Sequence, residues 1–214
     1  MNKNLTLKLA VLLTILSLIL VVISWDYYNV KHRFANSSRA AKYLFFLSIR
    51  DSYNNALNVI QDLKKNNNNL VFNNNMLYLF DSLTQSESFL EVLYNINPKY
   101  RKYESKVPSL LFTIRSVKSL VYDISSHLSN GTPITRLVDN KLIYLTNEDI
   151  CNILSKYCSL VKNIISENGK IAESDKVLDK PDKYFDEMLE KWNIKKAELL
   201  FHNELKDVDI TTFP

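Results

Sequence analysis

Apolar positions open the chain as one nearly unbroken run. Residues 5–24 read LTLKLAVLLTILSLILVVIS with Lys8 as the one charge. At about 1.5 Å per residue, a helix of that length crosses the hydrocarbon of a bilayer. Lys8 stands near enough to the start to reach back to the headgroups. Trp25, Tyr27 and Tyr28 follow at once, and amphipathic rings of this kind settle at a membrane interface. A helix buried in a protein core would normally carry a polar stripe, which this run lacks. The pattern predicts a membrane anchor, with a cleaved signal peptide as the alternative. Val22 and Ser24 are small enough to precede a cleavage site, but the run is longer than a usual signal core.

Beyond the anchor the apolar positions take a helical period. Leu44, Leu47, Tyr53, Leu57, Ile60 and Leu63 predict a first helix that continues the anchor and ends near Lys65. Residues 66–75 are rich in Asn and read as a loop that turns Leu70, Val71 and Phe72 back onto the protein or out to a partner. A second helix is expected over 75–96, with Leu79, Leu83, Leu90 and Leu93 inward and Pro98 as its stop. The stretch KYRKYESK at 99–106 reads as a solvated basic loop. In the third helix Leu110, Ile114, Val117, Val121, Ile124 and Leu128 alternate by four and three, and Asn130-Gly131 ends it. The stripe is too short for an isolated coiled coil and suits a bundle.

Residues 132–145 place ITRLV and KLIYL around Asp139-Asn140, a pattern for a small β-hairpin or a short amphipathic helix. Thr146-Asn147-Glu148-Asp149 has the form of a helix start, with Thr146 as N-cap and acidic residues in the first turn. The helix it opens carries Ile150, Leu154, Tyr157, Val161 and Ile164 and is expected to end before Gly169. A polar connection over 170–180 leads to Pro181, which suits the first turn of a last helix bearing Phe185, Met188, Leu189, Trp192, Leu199 and Leu200.

The fold class expected is all-α: an N-terminal transmembrane helix continuing into an antiparallel bundle of about four to five helices, with a small β-hairpin at 134–145. The domain organisation follows as an anchor with a short basic start and aromatic interface at 1–30, a bundle at 31–205 and a loose tail at 206–214. Composition supports this class. Only 2 Gly and 5 Pro occur in 214 residues, too few breakers for the frequent turns of a sandwich or barrel. The 46% apolar and 23% charged content suffices for a core.

Several chemistries are excluded. Gly131 and Gly169 alone cannot build a dinucleotide fingerprint or a P-loop. His32, His127 and His202 have no metal-ligand spacing with one another or with the cysteines. Cys151 and Cys158 lie about 10 Å apart if they share a straight helix, too far for a disulfide, and read as buried thiols. Asp186-Glu187 and Glu148-Asp149 diverge around a helix and make poor acid/base pairs. No catalytic site, cofactor or metal is expected. The net charge of +4 is spread along the chain, so nucleic acid is not an expected partner.

The partners expected are the lipid bilayer and another protein or a second copy of the chain. Lys31, Arg33, Arg39 and Lys42, just past the anchor, are candidates for anionic headgroups. Counted by the positive-inside rule these residues outweigh Lys3 and Lys8 and favour a cytoplasmic body, whereas the short basic start and apolar run have the layout of an export signal. The expectation is a single-pass protein with an extracytoplasmic body. Its function is expected to be non-enzymatic interaction or scaffolding, with a small-ligand-binding or sensory bundle as the alternative.

Overall fold

A computed structural model describes the backbone of residues 3–65, 70–96, 100, 103, 105–130, 135–138 and 141–200. It describes the side chains of 16–17, 19–65, 73–95, 100, 103, 105–127 and 144–200. The protein is mostly helical. Helix α1 runs Lys3–Lys64, α2 Leu70–Ile96 and α3 Lys106–Asn130; strands β1 Thr135–Val138 and β2 Lys141–Tyr144 follow. Then come α4 Asn147–Ile165, β3 Ser166–Glu167, β4 Lys170–Ile171, α5 Ser174–Asp179, α6 Pro181–Lys191 and α7 Ile194–Leu200. The chain divides into two compact units, Met1–Arg39 and Ala40–Pro214.

The second unit is a helical bundle. Contacts along α1 and α2 run in opposite order: Asp62 accepts from Asn75 Nδ2 at 2.7 Å, the Tyr78 carbonyl from Asn55 Nδ2 at 3.2 Å, and Ser86 Oγ donates to Ser48 Oγ at 3.0 Å. The two helices are therefore antiparallel. The α1–α4 pair is antiparallel as well, with Cys151 Sγ facing the Ile60 carbonyl and Cys158 Sγ facing the Tyr53 carbonyl, each at 3.8 Å. In the α2–α3 pair Phe80 packs on Tyr122, while Glu91 reaches Arg115.

The inward stripes of α2, α3 and α4 are those the periodicity marks. Leu79, Leu83, Leu90 and Leu93 are buried, as are Leu110, Ile114, Val117, Val121 and Ile124, and Ile150, Leu154, Tyr157, Val161 and Ile164; the Leu128 side chain lies outside the described residues. In α1 the expected face holds in part: Tyr53, Ile60 and Leu63 are buried and Leu47 packs partly buried against the core, but the stripe is displaced at two positions. Leu44 and Leu57 are 40% and 41% exposed, whereas Phe45, Ile49, Ala56 and Val59 are fully buried. Ser48 and Ser52 share this inward face, donating to the Phe45 and Ile49 carbonyls one turn back. Hydroxyls satisfied by their own helix can be buried at little cost, and they conceal the apolar period.

Thr146 caps α4 as expected. Its Oγ1 accepts from the Asp149 N–H at 3.2 Å and its own N–H donates to the Asp149 carboxylate at 2.8 Å, completing a capping box. The hairpin at β1–β2 also forms, with Thr135 opposite Tyr144 and Val138 opposite Lys141; residues 139–140 lie outside the described residues.

Four expectations change. Helix α2 begins at Leu70, so the backbone of Leu70, Val71 and Phe72 is its first turn rather than loop. Helix α4 ends at Ile165, before Gly169 as expected, but Gly169 is a turn residue of the β3–β4 hairpin rather than the left-handed end of the helix. Asn168 and Gly169 have φ of 51° and 78°, the two positive values that a two-residue hairpin turn needs and that the Asn-Gly dipeptide supplies best. The connection at 170–180 contains β4 and α5, whose Val177 is buried. The single last helix is two, because Trp192 leaves α6 in an extended conformation and Asn193 Oδ1 accepts from the Lys196 N–H at 3.0 Å to start α7. Leu199 consequently faces solvent at 60% exposure.

Candidate functional site

The residues expected at a membrane fall into two groups. Along α1, Leu16, Leu20, Val21, Val22, Ile23, Trp25, Tyr27, Tyr28 and Val30 are each more than half exposed, between 55% and 69%. Among the described residues no helix is long and apolar enough to cross a membrane. The single-pass span expected over 5–24 is thus not supported there, and the side chains of 5–15 and 18 lie outside the described residues. Lys31, Arg33 and Arg39 are exposed.

Lys42 differs and is withdrawn from any headgroup surface. It is 4% exposed, forms an ion pair with Asp182 of α6 and lies 5.3 Å over the ring of Tyr100. Tyr100 is itself fully buried and meets Phe185 edge-on at 5.0 Å. The stretch at 99–106 is therefore no simple solvated loop: an aromatic residue within it plugs the space between α1 and α6. Residues 99, 101, 102 and 104 lie outside the described residues, as do the side chains of Leu70, Val71 and Phe72.

A second feature lies where α4, the β3–β4 hairpin and the α6–α7 break meet. Trp192 sets it up. Its ring is 2% exposed and its Nε1 donates to Ser109 Oγ of α3 at 3.2 Å, which draws the chain inward and separates α6 from α7. Lys191 Nζ donates to the Ser166 carbonyl at 2.8 Å, and Asn163 Nδ2 to the Lys191 carbonyl at 3.0 Å. The result is a cleft of about 630 Å³ bordered by Lys162, Lys191, Lys196 and Asn193. Its one carboxylate, Glu167, accepts from the Tyr184 hydroxyl at 3.0 Å. A smaller cleft of about 330 Å³ adjoins it through Ser159, Leu160 and Lys196, and Leu199 and Leu200 line its floor. Sequence reasoning missed both clefts because no periodicity brings residues near 160 and 195 together, although Asn193 is a recognisable cap.

Two thiols and a phenol lie buried in the core. Burial pushes the Cys158 thiol up to about 12 and the Cys151 thiol upward as well; both are buried and free. Burial raises the Tyr157 hydroxyl far above its usual value despite the opposing Ser52 hydrogen bond. Among the described residues no group of three His, Cys, Asp or Glu side chains could hold a metal. His32 lies near Asn36, with 3.2 Å between Nδ1 and Nδ2, and His202 lies outside the described residues. No protein-family model, curated protein or solved structure matches the chain.

Proposed function

We propose that the chain is a membrane-tethered helical module that engages another protein or a second copy of itself and performs no catalysis. The observation that carries the tether is the exposed apolar run between Leu16 and Val30 on α1, continuous in sequence with the apolar residues 5–15. So many apolar side chains on one exposed helix call for a non-aqueous surrounding. Trp25, Tyr27 and Tyr28 stand at the interface, and Lys31, Arg33 and Arg39 face the headgroups. The body lies on the extracytoplasmic side, in keeping with the short basic start and apolar run.

A rim on the bundle supports the interaction role. Leu77 of α2 is 55% exposed and stands three residues from Phe80, which packs on the half-exposed Tyr122 of α3 with centroids 6.3 Å apart. Leu70, Val71 and Phe72 precede them in the sequence of α2 and stay candidates for the contact by sequence alone.

The test is alkaline extraction of membranes containing the full chain, together with protease digestion of a C-terminal tag in intact cells. Retention in the membrane pellet with digestion of the tag is expected. Release into the supernatant would overturn the tether, and protection of the tag until the membrane is opened would reverse the orientation. A small-ligand role is the second reading, favoured by the paired clefts beside α4.

A further inference from the structure

We propose that the paired clefts at α4, the β3–β4 hairpin and α7 bind a phosphate ester that carries an apolar group. The inference rests on the bundle alone and stands or falls independently of the membrane tether.

The larger cleft is built to receive negative charge. Three ammonium groups, Lys162, Lys191 and Lys196, border it against the single carboxylate of Glu167, which the Tyr184 hydroxyl already engages. Asn193 Oδ1 accepts from the Lys196 N–H at the start of α7, and its amide has two N–H donors to offer an anion. The C-terminal end of α4 points toward the same place, and its carbonyls would oppose an anion. The last of them is occupied, since the Ile165 carbonyl accepts from the Ala172 N–H at 3.0 Å, and the following carbonyl, of Ser166 in β3, accepts from Lys191 at 2.8 Å. The last carbonyl of the helix and the one after it are thereby engaged within the protein, which lessens their opposition to an anion.

Size and polarity narrow the ligand. A cleft of about 630 Å³ is far larger than one inorganic phosphate requires and falls within the range of small-molecule sites. The adjoining cleft sets Leu160, Leu199 and Leu200 beside Ser159 and the side chains of Lys156 and Lys196. Leu199 is 60% exposed beside Lys196 and so is accessible to an apolar group of a ligand. Phosphate at Lys162, Lys191 and Lys196 and an apolar group over Leu199 would fill both parts, with Lys196 shared between them. Such a ligand is either soluble, as an aryl phosphate is, or a phospholipid headgroup with its chains.

The full chain in detergent separates the two sources. Amine acetylation of individual lysines is followed by mass spectrometry in the presence of naphthyl phosphate, inorganic phosphate, naphthol, or micelles doped with phosphatidic acid. Protection of Lys162, Lys191 and Lys196 by naphthyl phosphate alone assigns a soluble ligand, by phosphatidic acid alone a lipid; either supports the site. Naphthyl phosphate should bind at least about tenfold more tightly than inorganic phosphate, ~1.4 kcal/mol, and Leu199→Ser should erase that difference. The Lys162→Gln/Lys196→Gln double variant should lose binding and keep its unfolding temperature, since neither ammonium forms a salt bridge among the described residues. Absence of protection by every phosphate probe, equal protection by naphthol, or full binding by the folded double variant would overturn the proposal.

Discussion

The Tyr157 hydroxyl of α4 lies 2.6 Å from the Ser52 hydroxyl of α1, both groups buried in the bundle. Ser52 also donates to the Ile49 carbonyl at 2.7 Å, so in this pair Tyr157 is the donor. Ser52→Ala strands the phenol proton and should cost about 1–3 kcal/mol, whereas Tyr157→Phe leaves Ser52 bonded to its own helix and should cost ~0.5–1.5 kcal/mol. Urea unfolding of the full chain in detergent measures both. Equal losses would mean that the hydroxyls act separately.

The Lys42–Asp182 pair predicts an asymmetry of the same kind. The lysine is 4% exposed and the aspartate 53%. Asp182→Asn leaves an ammonium in a dry site and should lower stability by about 1–2 kcal/mol, reduced from the cost of a fully buried pair because water reaches the aspartate. Lys42→Met keeps the apolar stem and should be nearly neutral. Thermal unfolding of the two variants tests the order, and a larger loss for Lys42→Met would reverse it.

Acid should loosen the α2–α3 pair through Glu87. Burial works to raise its carboxyl, but hydrogen bonds from Lys118 and Arg115 outweigh that and hold it below the ordinary value of 4.5. A depressed folded value means that the carboxylate's contribution is complete above the unfolded value and is lost as pH falls through the lower, folded one. Glu87→Gln should therefore flatten the acid limb of the stability profile below about pH 4.5 while lowering stability at neutral pH. An unchanged acid limb would remove Glu87 from that role.

Cys151 and Cys158 should resist thiol reagents in the folded chain. Both are buried, and a thiol held near 12, as Cys158 is, supplies almost no thiolate at pH 8. Labelling should accelerate along the same urea curve as global unfolding. Rapid labelling without urea would show that α4 opens locally.

Local chemistry was legible where one signal dominated. Thr146 announces α4 because a cap needs only residues within one turn, and the α3 stripe keeps its four-and-three apolar alternation from Leu110 to Ile124 although Thr113, Ser116 and Ser119 are buried beside it. In α1 the inward Ser48 and Ser52 shifted the perceived face toward Leu44 and Leu57. The break at Trp192 was hidden because its cause is remote, a hydrogen bond to Ser109 on another helix. Asn168-Gly169 carried a hairpin signature, yet the flanking strands have two residues each and no alternation to announce them. The clefts depend on all of these tertiary placements, and so none of the candidate lysines beside them could be read from sequence.

Trp192, sealed against α3, and Trp25, 66% exposed on α1, are the chain's two indoles, one in each compact unit. Their emission divides naturally into two optical channels. A blue component reports whether the bundle is intact, and a red component, quenchable by iodide, reports whether α1 stands in water. Transfer into lipid would turn the red component blue and shield it from iodide without altering the other, so folding and membrane entry can be followed separately in the unlabelled protein.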